Sequence, residues 1–178
     1  MLLRKYVPFP VSPGKALLMN NIFNDQPEGR IRPMQRANLV RVHDIECESQ
    51  AHPWTLAHFR AELENPVASV DVYIQAGEIA GFLCSWLIAG ELQIQNLATA
   101  CTSRRQGVAG RLLKHVLARS RTLGMQTAWL EVRAHNSAAI ALYRTWDFTI
   151  STRRAGYYQD GEDALLMYRH ETRQAEKH

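Results

Sequence analysis

The stretch that most constrains this chain is Arg104-Arg105-Gln106-Gly107-Val108-Ala109-Gly110. An apolar run, Leu92 to Ala100, leads into it, and a helical pattern, Val108 to Leu123, leads out. A short basic turn therefore opens a helix directly after a strand. The first N–H groups of a helix have no intrahelical partner and carry the positive end of its dipole, so such a turn is a candidate anion cradle. Gly107 and Gly110 let a phosphate approach the backbone closely. Arg104 and Arg105 add full charges that oppose the dipole unless something anionic sits there. A basic loop capping an ordinary helix is the alternative on these residues alone. The turn is not a Walker A sequence, because no Gly-Lys-Ser/Thr follows, and the G-x-G-x-x-G spacing of a dinucleotide site is missing.

The flanking pattern gives the turn its context. Ile31 to Arg36 reads as a strand. Ala37 to Cys47 follows at helical spacing, with Leu39, Val40, Val42 and Ile45 apolar. Thr55 is an N-cap for a helix from Leu56 to Glu64, which Asn65-Pro66 ends. Ser69–Gln75, Ile79–Ile88 and Leu92–Ala100 form a three-stranded meander around turns at Ala76-Gly77-Glu78 and Ala89-Gly90-Glu91. The helix after the basic turn places Val108, Leu112, Val116 and Ser120 on one stripe beside Leu113 and Leu117, and Gly124 is a suitable C′ residue. Thr127 to Val132 is a short apolar strand, so the unit from Leu92 is a strand–helix–strand crossover with a parallel pair. A helix from Ser137 to Thr145 and an antiparallel pair, Thr149–Arg154 and Ala164–Tyr168, complete the pattern.

A chain of 178 residues suits one domain. Residues 1–30, with four prolines and two glycines, break every period and read as an irregular extension; the domain spans 31–169, and 170–178 is a polar tail. No apolar run is long enough to cross a membrane. Pro8, Pro10 and Pro13 interrupt what a signal peptide requires, so a cytoplasmic location is expected. The net charge of +4 allows an acidic ligand such as a nucleotide. No long Lys/Arg block with interleaved aromatics points to direct nucleic-acid binding. Cys47, Cys84 and Cys101 form no C-x-x-C pair, and His52, His58 and His115 show no metal spacing, so no metal is expected. Cys101 reads as a free thiol rather than a nucleophile.

Six positions stand out for chemistry. Glu131 lies inside the apolar run Ala128–Val132, where a carboxylate needs a partner or a polar cavity. It either pairs with Arg133 or another strand, or sits near the strand's C-terminal end as a partly buried base. Tyr143 is a core aromatic or a hydroxyl donor. Asn136 caps the next helix and could also reach a ligand. Trp54, and the adjacent Tyr157 and Tyr158 in a polar loop, are packing residues or the walls of a binding groove.

The order of elements, with Arg104-x-x-Gly107-x-Ala109 at the basic turn, resembles the GCN5-related N-acetyltransferase (GNAT) family. That family holds the coenzyme A pyrophosphate with an R/Q-x-x-G-x-G/A signature. Trp129-Leu130-Glu131-Val132-Arg133, Asn136 and Ala138–Tyr143 are similar to its RimI-like branch, the ribosomal-protein alanine N-acetyltransferases. So are His52-Pro53-Trp54, Arg154 with Tyr157-Tyr158, and Glu162-Asp163-Ala164. The resemblance implies an α/β (α+β) fold, with a mixed sheet of about seven strands, four helices, and strands four and five splayed around acetyl-CoA. It implies Glu131 as general base and Tyr143 as general acid. Leu97, Ala98 and Thr99 would contact the acetyl group and pantetheine. Arg104, Arg105, Gln106, Gly107, Val108, Ala109 and Gly110 would hold the pyrophosphate, and Asn136 would contact the coenzyme. Trp54, Tyr157 and Tyr158 become candidate substrate contacts.

The implied partner is the N-terminal peptide of a ribosomal protein, acetylated at alanine by direct transfer in a monomer or weak dimer. A broader enzyme acting on lysine or small amines, and a non-catalytic coenzyme-binding module, are the alternatives. An α-amine, with a pKa of ~7.7–8.0, is easier to deprotonate than a lysine near ~10.4, which favours the N-terminal acceptor. Three departures from the branch stand out, one being that the N-terminal thirty residues have no counterpart in it. Thr99-Ala100-Cys101 replaces Val-Asp-Pro, and Trp146-Asp147-Phe148 replaces Leu-Gly-Phe, with Asp147 in place of a glycine whose backbone angles aspartate tolerates.

Overall fold

The computed structural model describes residues 29–171. The irregular extension, including Ala16-Leu17-Leu18-Met19, therefore lies outside the described residues up to residue 28, as does the polar tail from residue 172. The chain runs β1 (Arg30–Pro33), α1 (Leu39–Ser49), α2 (Leu56–Glu64), β2 (Ala68–Gln75), β3 (Glu78–Ile88), β4 (Glu91–Thr99), α3 (Val108–Thr122), β5 (Thr127–Arg133), α4 (Ser137–Arg144), β6 (Thr149–Arg154) and β7 (Ala164–His170). Short 3-10 turns precede α1 and follow β4. The seven strands make one mixed sheet in the order β1-β2-β3-β4-β5-β7-β6. Every pairing is antiparallel except β4 with β5, as a helical crossover between them requires.

Two apolar clusters cover the two faces of the sheet. On one face, α3 buries Val108, Leu112, Leu113, Val116, Leu117 and Ser120, the full stripe expected from the sequence. They meet Leu83, Leu92, Ala128, Leu130 and Met167, while α4 adds Ile140 and Tyr143. On the other, Val42, Ile45 and Phe59 of α1 and α2 pack on Val70, Val72, Phe82 and Cys84. Each fully buried side chain of this size contributes roughly 1.5–3 kcal/mol. That burial, more than helix propensity, holds a 15-residue helix such as α3, since isolated helices of this length are marginal in water. An ion pair anchored on a buried carboxylate fastens α3 to β2. Asp71 in β2 is fully buried and accepts from Arg119 of α3 at 2.8 and 2.9 Å. Removing one partner of such a pair costs ~3–5 kcal/mol.

Several local expectations shift. The first strand ends at Pro33, and the chain enters α1 through a 3-10 turn, so α1 runs from Leu39 to Ser49. Val40, expected on the apolar face, is 65% exposed, because the buried stripe is Leu39, Val42, Ile45 and Glu46. The last strand continues to His170, where Arg169 is buried and donates to the Trp146 carbonyl at 2.9 Å. Thr55 caps α2 by accepting from the His58 N–H. Asp147 takes φ +62°, the left-handed conformation that its place in the turn implied.

Candidate active site

β4 and β5 begin side by side and then part. Their pairing covers only Glu91–Ile94 against Thr127–Leu130. A bulge at Gln95 interrupts the β3–β4 register between Asn96 and Ile94 and bends the strand there. Beyond it, the side of Gln95–Thr99 that faced β5 is left open. The crossover helix α3 starts at this split, and so does α4. Two cavities open into it.

The first, of about 540 Å³, runs from Leu97, Ala98 and Thr99 along the start of α3. Gly107 caps that helix with φ +79°, and no side chain caps it. The first helical bond closes from Arg111 N–H to the Gly107 carbonyl, so the N–H groups of Val108, Ala109 and Gly110 precede the ladder. Gly107, Val108, Ala109 and Gly110 line the cavity. Arg105 has φ +61° and makes no hydrogen bond or ion pair with the described residues. Arg104 has a different task. Its guanidinium donates to the Glu48 carbonyl at 3.2 Å and to the Ser49 hydroxyl at 3.4 Å, clamping the end of α1 to the turn. Gln106 is not among the residues that line this cavity. Its side chain donates to the Thr102 carbonyl at 2.9 Å and braces the turn from behind.

The second cavity, of about 480 Å³, lies between the α1–α2 loop and the β6–β7 loop. Trp54, Glu131, Tyr157 and Tyr158 line it, together with Glu46 and Asn96. Gln50, Leu97, Asn136, Ala139 and Tyr143 line both cavities. Tyr143 therefore stands where the two spaces meet. It is 7% exposed, and burial pushes its hydroxyl far above the ordinary tyrosine range, with the nearby Tyr158 adding to the effect. A tyrosine in that state holds its proton until a strong base arrives. Asn136 caps α4 by accepting from the Ala139 N–H at 3.1 Å, which leaves its amide N–H groups for a ligand.

Glu131 lies near the C-terminal end of β5 and lines this cavity. Its alternate position on β5 points it away from the core, its side chain is 32% exposed, and it forms an ion pair with Arg154 of β6. This is the cross-strand pairing that the sequence left open. Hydrogen bonding toward Glu131 raises the Tyr157 pKa. The Tyr157 and Tyr158 rings meet edge to face at 5.3 Å, and the Arg133 guanidinium lies 3.9 Å from the Tyr158 ring centroid. Arg133 also bridges Asp160 and Glu162 at 2.8 Å each, and hydrogen bonding holds both carboxyls below their usual range. The β6–β7 loop is thus pinned to β5 at the cavity mouth. Trp54 lines the cavity, and its ring packs 5.5 Å from Phe59.

Sequence reasoning passed over Glu46, Asn96 and Gln50, which also line the second cavity. A carboxylate on the apolar stripe of α1 was the one signal available for Glu46. The cysteines Cys47, Cys84 and Cys101 are free thiols. Among the described residues, no group of three or more His, Cys, Asp or Glu could hold a metal ion, and no helix is long and apolar enough to cross a membrane.

Residues 37–148 match the acetyltransferase (GNAT) family. The chain is 34% identical over 140 residues to the [Ribosomal protein bS18]-alanine N-acetyltransferase of Escherichia coli K12, covering 77% of this chain and 94% of that protein. It is also similar to the solved ribosomal-protein-S18-alanine N-acetyltransferase from Escherichia coli, with a TM-score of 0.77 and 31% identity over 85% of this chain and 99% of that one. Arabidopsis thaliana NAA60, solved in complex with acetyl-CoA, shares the fold at a TM-score of 0.74 and 19% identity, over 80% of this chain and 98% of that one.

Proposed function

This chain belongs to the acetyltransferase (GNAT) family and is an N-acetyltransferase; from that premise we propose that it acetylates the α-amine of an N-terminal alanine on a ribosomal protein. The observation that carries the acceptor assignment is the 34% identity, spread over 94% of the bS18-alanine enzyme's length.

Acetyl-CoA supplies the acetyl group, and the first cavity fits its anionic part. The N–H groups of Val108, Ala109 and Gly110 converge there with Arg105, at a helix terminus with no capping side chain. Leu97, Ala98 and Thr99 offer the open edge of β4 to an extended chain. A backbone N–H near Leu97 or Ala98 stabilises the thioester oxygen as it gains charge. The acceptor enters through the second cavity, between Trp54 and the Tyr157-Tyr158 pair. Glu131, reached through water, takes the amine proton, while Arg154 and Tyr157 hold its carboxyl in place. Tyr143, kept protonated by burial, donates to the leaving thiolate.

The test is an acetylation assay on an Ala-initiated basic peptide beside the same peptide with a blocked N-terminus and an internal lysine. Transfer to the first alone is expected. Equal transfer to the blocked peptide would replace the α-amine with lysine as the acceptor.

A further inference from the structure

Among the described residues, Glu46 is the one carboxylate lining the acceptor cavity that forms no ion pair, although His43, one turn earlier on α1, favours its charge from a distance. It lies on α1 between residues of the apolar stripe and is 1% exposed. One oxygen, Oε1, accepts from the Trp54 backbone N–H at 3.0 Å, which fixes the α1–α2 loop over the cavity. The other, Oε2, is buried and has no hydrogen-bond partner among the described residues. The Asn96 amide lies close enough to favour the carboxylate, but no hydrogen bond of normal geometry reaches Oε2.

Charged groups around the cavity are already engaged. Arg133 is held by Asp160 and Glu162, Arg154 by Glu131, and Arg104 by the end of α1. His52 lies beside Asp160 at 3.9 Å. A carboxylate held out of water with an oxygen unpaired is disfavoured until a donor or a cation reaches it. The Trp54 bond uses only Oε1, and a neutral amide would serve it equally well. The tether alone therefore does not account for a charge at this position.

We propose that Glu46 is the docking residue for the acceptor's N-terminal amine, with Oε2 accepting from the incoming ammonium. The assignment rests on the acetyl-transfer reading above and divides the work between two carboxylates. Glu46 binds and orients the amine, and Glu131 removes its proton. An α-amine with a pKa of ~7.7–8.0 arrives largely as a cation at pH 7, so it matches an unpaired buried carboxylate. Burial raises the Glu46 pKa, and a bound cation opposes that shift. A peptide whose N-terminus is already blocked has no cation to offer. Glu46 therefore selects for a free N-terminus before any chemistry occurs.

The experiment compares the wild type with Glu46→Gln and Glu46→Asp. Gln keeps the acceptor for Trp54 and removes the charge, whereas Asp keeps the charge and withdraws it. The expected result for Glu46→Gln is a peptide KM raised at least tenfold, with kcat, the acetyl-CoA KM and the melting temperature nearly unchanged. Glu46→Asp should fall between. In a second measurement, binding of the Ala-peptide and of its desamino analogue is compared on protein saturated with CoA. The wild type should prefer the free amine by at least tenfold, and Glu46→Gln should not discriminate. A wild-type peptide KM and undiminished discrimination in Glu46→Gln would overturn the proposal, as would failure of both variants to fold. An inactive wild type that still discriminates the amine through Glu46 would sink the acetyl-transfer reading and leave the docking role standing.

Discussion

In the proposed reaction two side chains divide the chemistry by environment. Tyr143 is buried and held protonated, while Glu131 sits at the surface end of β5 in an ion pair. Tyr143→Phe keeps the packing against Phe148, whose ring lies 5.9 Å away, and removes only the proton donor. We expect kcat to fall roughly 10²-fold or more, the scale of general acid catalysis, with acetyl-CoA affinity within about twofold. Steady-state kinetics with an Ala-peptide and a coenzyme titration check both halves. Both residues were legible in the sequence because a carboxylate in an apolar strand and a tyrosine on an apolar helix stand out locally. Glu46 was half legible. The spacing Leu39, Val42, Ile45 puts position 46 on the buried face, yet nothing in the sequence shows which oxygen the Trp54 N–H takes.

At the scale of elements, the site depends on how closely β3, β4 and α3 approach. Gly81 of β3 sits opposite Thr99 in the register. A Cβ there would lie 2.8 Å from the Ala98 carbonyl oxygen and 2.8 Å from a Val108 methyl. The first contact is backbone and cannot swing away. Gly81→Ala should therefore destabilise the fold by ~1–3 kcal/mol, the usual cost of overpacking. It should also weaken acetyl-CoA binding, because the displaced edge is Leu97–Thr99. A lower denaturant midpoint together with a weaker coenzyme titration is the expected pair of results; loss of stability with unchanged binding would detach Gly81 from the site. The helices and strands themselves were readable from period and turn chemistry, down to Thr55 as a cap and Gly124 as a C′ residue with φ +88°. Their edges were less so. β7 runs on to His170 because pairing with β5 continues there, which no local propensity encodes.

Across the whole molecule, the acceptor cavity is closed by loops from opposite ends of the chain. Asp160, Glu162 and Asp163 in the β6–β7 loop carry lowered pKa values, through backbone N–H groups and through Arg133 and Arg153. A carboxyl whose folded-state pKa lies below its unfolded value stabilises the fold above the unfolded value, ~3.9 for Asp and ~4.3 for Glu. That contribution is lost as pH falls through the folded-state values. The melting temperature should therefore drop on acidification below about pH 4, and Arg133→Met should flatten the drop. Melting curves from pH 7 to pH 3 for the two proteins test this. An identical acid profile in the variant would remove Arg133 from the network.

The sequence by itself determined the element order and the basic turn that opens α3, because hydrophobic period, glycine placement and capping are local properties of a chain. Tertiary structure alone decided that β4 and β5 part after Ile94, that Arg104 clamps α1 while Arg105 faces the cradle, and that Glu131 pairs with Arg154 while Glu46 keeps an oxygen free. Those outcomes depend on which side chains meet across long stretches of chain, and distance in sequence carries no record of that.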